Sequence, residues 1–141
     1  MLREIGLSEM LKKGIPKEDC VFVARKRGND EIAPPDDLFK DFDKAKTRLE
    51  KKFGKGSVEA HNLAFLDCGY ERRFREHVLR NPSALNKLEA ICKRSLKRDV
   101  HLVCYEGAAK ACHRRILLRI AEERFGAKVN IEGVEPKQAA R

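Results

Sequence analysis

Hydrophobic positions along the chain fall into two kinds of pattern: short unbroken apolar runs, and stripes that recur at helical spacing. Cys20-Val21-Phe22-Val23-Ala24 is a compact run bounded by Pro16 and Gly28, the form a buried strand takes. Val100-His101-Leu102-Val103-Cys104-Tyr105 is a second and clearer one. Between them Leu38, Phe39, Phe42, Ala45, Leu49 and Phe53 share one face of a helix. Pro34-Pro35 and Asp36-Asp37 open that helix, with acids at the positive end of its dipole, and Gly54 closes it.

The same spacing predicts a helix over residues 70–79, from Tyr70, Phe74 and Val78. Asn81-Pro82 supplies a cap and a first-turn proline for the next helix, whose stripe is Leu85, Leu88, Ile91, Cys92 and Leu96. A last helix runs over residues 112–125, with Ile116, Leu117, Ile120, Ala121 and Phe125 facing a core and Gly126 ending it. Three segments read less cleanly. Residues 2–11 predict a short helix stopping at Gly14, residues 55–69 an irregular connection, and Val129 and Ile131 a short final strand. The expected class is α/β: one small domain over residues 1–134, a mostly parallel sheet flanked by helices, then a polar tail over 135–141.

Composition and charge narrow the partners. The chain has 141 residues, 42% hydrophobic and 38% charged, which suits a single cored domain and excludes collagenous or wholly disordered chains. No apolar run reaches the roughly 18–20 residues of a membrane span, so no membrane partner is expected. The five cysteines form no Cys-x-x-Cys pair and, with no secretory signal, predict a reducing, cytoplasmic setting. Net charge is +9, and it is lopsided: 14 basic against 13 acidic residues in 1–70, 17 against 9 in 71–141. That balance points to an anionic partner and leaves oligomeric state open. Two partners fit it. One is a small phosphate- or carboxylate-bearing ligand. The other is nucleic acid tracked by Arg72, Arg73, Arg75, Arg80, Lys93, Arg94, Lys97 and Arg98, on a chain without Trp or a nucleic-acid-binding signature.

The chemistry concentrates in Cys104-Tyr-Glu106-Gly-Ala-Ala-Lys-Ala-Cys112-His113-Arg114, a loop leaving a strand and entering a helix. Open α/β sheets place ligands at such points, and helix starts favour anions. Cys112 or Cys104 is the candidate nucleophile, Glu106 or His113 the proton carrier, and Arg114 the two-pronged anion holder. A phosphatase loop would need a cysteine, five intervening residues and then arginine, and counting from Cys104 reaches Lys110 instead. A zinc site could draw on Cys104, Cys112, His113 and a distant His61 or His77. Neighbouring side chains on a helix point about 100° apart, however, so joint ligation by Cys112 and His113 is disfavoured and no metal or other cofactor is expected.

Cys-x-Glu, five residues, then Cys-His-Arg resembles the motif of the domain-of-unknown-function family DUF488. Val23-Ala24-Arg25-Lys26-Arg27-Gly28 is similar to that family's Val-Asp-Arg-x-x-Pro-Arg-Gly strand end, Ala33-Pro34-Pro35-x-x-Leu38 to its helix start, and Tyr70 to Phe74 to a later helix. The likeness spans roughly residues 20–120. It implies an α/β fold and a site joining Arg25 or Arg27 to Cys104, Glu106, Cys112, His113 and Arg114. Two departures stand out: Ala24 replaces the family's aspartate, and the Trp-Pro pair is missing.

Overall fold

The computed structural model describes residues 1–136. Its sheet has three parallel strands in the order β1 (Leu2–Gly6), β3 (Val100–Cys104), β2 (Cys20–Phe22). The two apolar runs therefore pair as parallel neighbours, with Phe22 opposite Val103, and β3 is central. The α/β class, with a parallel sheet and flanking helices, is what the structure has.

The first segment differs from expectation. Residues 2–6 are an edge strand paired with β3 from Leu2–Val100 to Gly6–Cys104, and only Leu7–Lys13 is helical (α1). The stop at Gly14 is where the sequence puts it. Leu2 and Ile5 turn to opposite sides of the sheet: Leu2 joins the main core, while Ile5 packs with Met10, Cys20 and Val103 under α1. At the far end, Val129 makes a single bridge to Leu2 rather than a strand. Of the expected tail, Glu135 is tied to Arg119 at 2.7 Å, and residues 137–141 lie outside the described residues.

The helices cover the sheet's main face. They are α2 (Asp36–Phe53), α3 (Val58–Asp67), α4 (Tyr70–Leu79), α5 (Pro82–Ser95) and α6 (His113–Phe125). Asn81 caps α5 as expected, accepting from the backbone N–H groups of Ser83 and Ala84. The expected irregular connection contains α3, a ten-residue helix whose N-cap Ser57 accepts from the Ala60 N–H at 3.1 Å. Gly126 ends α6 in the left-handed conformation (φ 66°) that glycine adopts without strain. The carboxyl ends of all three strands finish together, at Gly6, Val23–Ala24 and Cys104, and the loop from β3 to α6 lies across them.

Candidate functional site

The β3–α6 loop is held by its carbonyls. Six consecutive ones, from Glu106 to Ala111, each accept a hydrogen bond from outside the loop. Arg114 Nη1 takes that of Glu106 at 2.8 Å, Arg115 those of Gly107 and Lys110 at 3.1 and 2.7 Å, and the Val134 N–H that of Ala108 at 2.9 Å. From α3, Asn62 takes the carbonyl of Ala109 at 3.0 Å and His61 that of Ala111 at 2.7 Å. Asn62 also accepts from the Ala111 N–H at 2.8 Å. Gly6 permits the loop's approach to β1, since a Cβ there would sit 2.8 Å from the Glu106 carbonyl oxygen.

Arg114 and Arg115 reach the loop from the protein interior. Both are about 1% exposed, and both donate through Nε to Glu4 Oε1 at 2.8 Å. Glu4 Oε2 accepts from Arg115 Nε and from the N–H groups of Glu132 and Gly133, so its lone pairs are filled. Buried charges persist only when paired and hydrogen-bonded in this way. Arg114 is thus turned into the interior. Its guanidinium fastens the loop to β1 and is not among the groups that line the pocket beside the loop.

Beside the loop lies a pocket of about 360 Å³. Phe39, Phe42, Phe65, Tyr70 and His61 form its wall, with Phe65 stacked on Tyr70 at 4.3 Å and Phe42 set edge-on to Tyr70 and His61. Burial holds His61 below the usual histidine range and keeps Tyr70 protonated well above the usual phenol range. Arg25 and Lys26 stand at the mouth. Arg25 lies over the Phe39 ring at 4.2 Å and pairs with Asp36. Lys26 has a left-handed backbone (φ 62°), unusual for a residue with a side chain, and its N–H donates to Asp30 at 2.8 Å. Arg27 lies outside, over Phe22 and bonded to the Tyr105 hydroxyl at 3.2 Å. Ala24, where the resemblance has aspartate, lines the pocket with a methyl group.

Cys104, Glu106, Cys112 and His113 meet at the pocket's inner end. Cys112 Sγ lies 3.7 Å from His113 Nδ1, Cys104 Sγ lies 3.8 Å from Glu106 Oε2, and the two sulfurs and an imidazole nitrogen fall within 4.8 Å of one another. The expected 100° divergence of Cys112 and His113 does not apply. Cys112 is the N-cap, with extended backbone (φ −150°, ψ 146°), so its side chain turns back over the helix start and meets its neighbour. His113 Nε2 donates to the Val23 carbonyl at 2.7 Å, which fixes the tautomer and leaves Nδ1 facing the sulfurs. Burial alone would raise Cys112. The hydrogen bond from Cys104, the contact with His113 and the charge of Arg114 outweigh it and hold that thiol well below its usual range. His113 is raised despite its burial, chiefly by Cys112, and Cys104 is pushed far up by its hydrogen bond to Cys112 and by burial.

The basic residues of α4 and α5 are largely engaged. Arg73 pairs with Asp37 and Asp41, Arg75 with Glu123, Arg72 with Glu76, and Arg98 with Asp19. Arg94 donates to the Glu18 carbonyl. Sequence reasoning missed Glu4, Asn62 and Arg115, and named His61 only as a distant metal ligand. The available signals were an acid inside the apolar stretch of β1 and two adjacent arginines on an apolar helix, which have to be buried as partners.

The family model DUF488-N3a, described as the active DUF488-N3 subclade, matches residues 2–125. The chain belongs to this family. No curated protein and no solved structure matches it. No helix among the described residues is long and apolar enough to cross a membrane.

Proposed function

From this membership and from the pocket, we propose that the protein binds a small molecule with a flat apolar body and an anionic group, and acts on it at the Cys104–Glu106–Cys112–His113 end. The observation that carries the reading is one pocket offering three different surfaces. Aromatic rings wall it, Arg25 and Lys26 stand at its mouth, and the sulfur–imidazole cluster closes its inner end. The rings take the apolar body, and the Arg25 guanidinium takes a carboxylate or phosphate. Glu106, between the mouth and the sulfurs, is placed to carry protons. Description of the family as the active subclade supports assigning chemistry, and not binding alone, to this end.

A thermal-shift screen of small aromatic carboxylates and phosphate esters tests the reading, with Arg25→Ala beside the unaltered protein. The acid that pairs with Arg25 and the Phe39 ring beneath it are both exposed, so its loss costs the fold little. Hits should raise the melting temperature of the unaltered protein and bind the variant about tenfold more weakly, the effect of one lost charge-assisted contact. Equal shifts in both proteins would move the anion site elsewhere.

A further inference from the structure

We propose that Cys104, Cys112 and His113 form a binding site for a thiophilic divalent cation, zinc in particular, with its fourth position open to the pocket. The proposal rests on the reading above of this end as the reacting one, and names the group that reacts.

The spacing of the donor atoms suits a tetrahedral metal centre. Zinc bonds of about 2.3 Å to sulfur and 2.0–2.1 Å to imidazole nitrogen, arranged tetrahedrally, place ligand atoms about 3.5–3.8 Å apart. Cys112 Sγ and His113 Nδ1 are 3.7 Å apart, and all three donor atoms lie within 4.8 Å of one another. They come from two rigid elements, the end of the central strand and the start of α6, and each residue is about 5–6% exposed. The outer shell fits as well. Metal-bound histidines donate their second ring N–H to a carbonyl or carboxylate, and His113 gives Nε2–H to the Val23 carbonyl at 2.7 Å.

Charge agrees with geometry. Two thiolates, a neutral imidazole and a dication sum to zero, so the loaded cluster is tolerable in a buried place where two bare thiolates would not be. The donor set of two sulfurs and one nitrogen selects zinc over magnesium or calcium, which prefer oxygen. With three protein ligands the centre is of the open kind. The remaining position faces the same space as Arg25 and Lys26, since all three ligands line the pocket. A water, or the anionic oxygen of the bound molecule, completes the shell there, with Glu106 beside it. Loading releases to solvent the Cys104 proton and the proton shared by Cys112 and His113, and no electron transfer is involved.

The test is a Co²⁺ titration of the reduced full chain after chelator treatment, followed by displacement with Zn²⁺. The expected result is one equivalent of Co²⁺ giving thiolate-to-cobalt charge-transfer and tetrahedral d–d absorption, both erased by one equivalent of Zn²⁺. Cys112→Ser and Cys104→Ser should each weaken binding more than about 100-fold. A triple variant with Cys20, Cys68 and Cys92 changed to Ala should keep the spectrum. Circular dichroism checks that each variant is folded. If a cluster variant unfolds, His113→Gln, which keeps a polar group against Val23, serves in its place. Absence of the bands in the unaltered protein, or their survival in folded Cys112→Ser, overturns the proposal. Arg25-dependent binding of anionic ligands by a protein that gives no cobalt bands would remove the ion and leave the pocket reading intact. Loss of ligand binding with the cobalt spectrum unchanged would do the opposite.

Discussion

Glu4 and Arg114 stand 110 positions apart in the chain and meet at 2.8 Å, with neither side chain more than 2% exposed. Through this contact, and the parallel one to Arg115, the first strand governs the placement of the loop that carries Glu106. Removing the carboxylate leaves two buried guanidinium groups without their counter-charge, the most damaging way to break such a network. Glu4→Gln is therefore expected to destabilise the protein by about 3–5 kcal/mol, measured by urea unfolding. A loss below about 1 kcal/mol would mean that the arginines are not held by this acid.

Asn62 clamps the loop from α3, donating to the Ala109 carbonyl and accepting from the Ala111 N–H. Asn62→Ala should cost about 1–2 kcal/mol and weaken ligand binding as the loop loosens. Asn62→Asp keeps the acceptor but sets a carboxylate oxygen against the Ala109 carbonyl, so it should lose at least as much as the alanine variant. The ordering, read from denaturant midpoints, separates the two bonds.

Lys26 holds a left-handed backbone at the pocket mouth. That region costs a side-chain-bearing residue about 1–2 kcal/mol, and glycine escapes it at some expense in chain entropy. Lys26→Gly is expected to gain about 0.5–1 kcal/mol in stability while binding anionic ligands less tightly. Stability and affinity moving together in either direction would show that the strained lysine does not serve the pocket.

The cysteines outside the cluster should be inert in the folded protein. Burial pushes Cys92 up to about 11 and also raises Cys20 and Cys68, which leaves little thiolate near neutral pH. Alkylation followed by peptide mass spectrometry should label Cys92 slowly at pH 7 and faster as the pH rises towards 11. Rapid labelling of Cys92 at neutral pH would contradict its placement on the buried face of α5.

Much of this architecture could be read in the chain, for identifiable reasons. β3, α2 and α5 combine long apolar patterns with strong punctuation: Pro35-Asp36 before α2, Asn81-Pro82 before α5. β1 was hidden because a five-residue edge strand running straight into α1 carries one nearly continuous pattern. α3 was hidden because its buried face is Ala60, His61, Ala64 and Phe65, while Val58 and Leu63 are exposed, so the apolar stripe is missing from the letters. At the site, the Cys104 to Arg114 stretch holds the pocket-lining loop, and two of its side chains lie where local spacing does not put them. Arg114 faces inward because its partner Glu4 lies at the other end of the sequence, which local reasoning cannot supply. Cys112 and His113 converge because the helix begins one residue later than its apolar stripe suggests, leaving Cys112 in extended backbone.

The pocket as the working site is tested most directly by backbone-amide NMR of the ¹⁵N-labelled protein titrated with a carboxylate or phosphate found in the thermal screen. Shifts centred on Ala24, Arg25, Tyr105, Ala111 and Cys112, with the α4–α5 surface at Arg72, Arg80, Lys93 and Lys97 unmoved, are what the account predicts. Shifts centred on that basic surface, with the Cys104–His113 end unmoved, would contradict it.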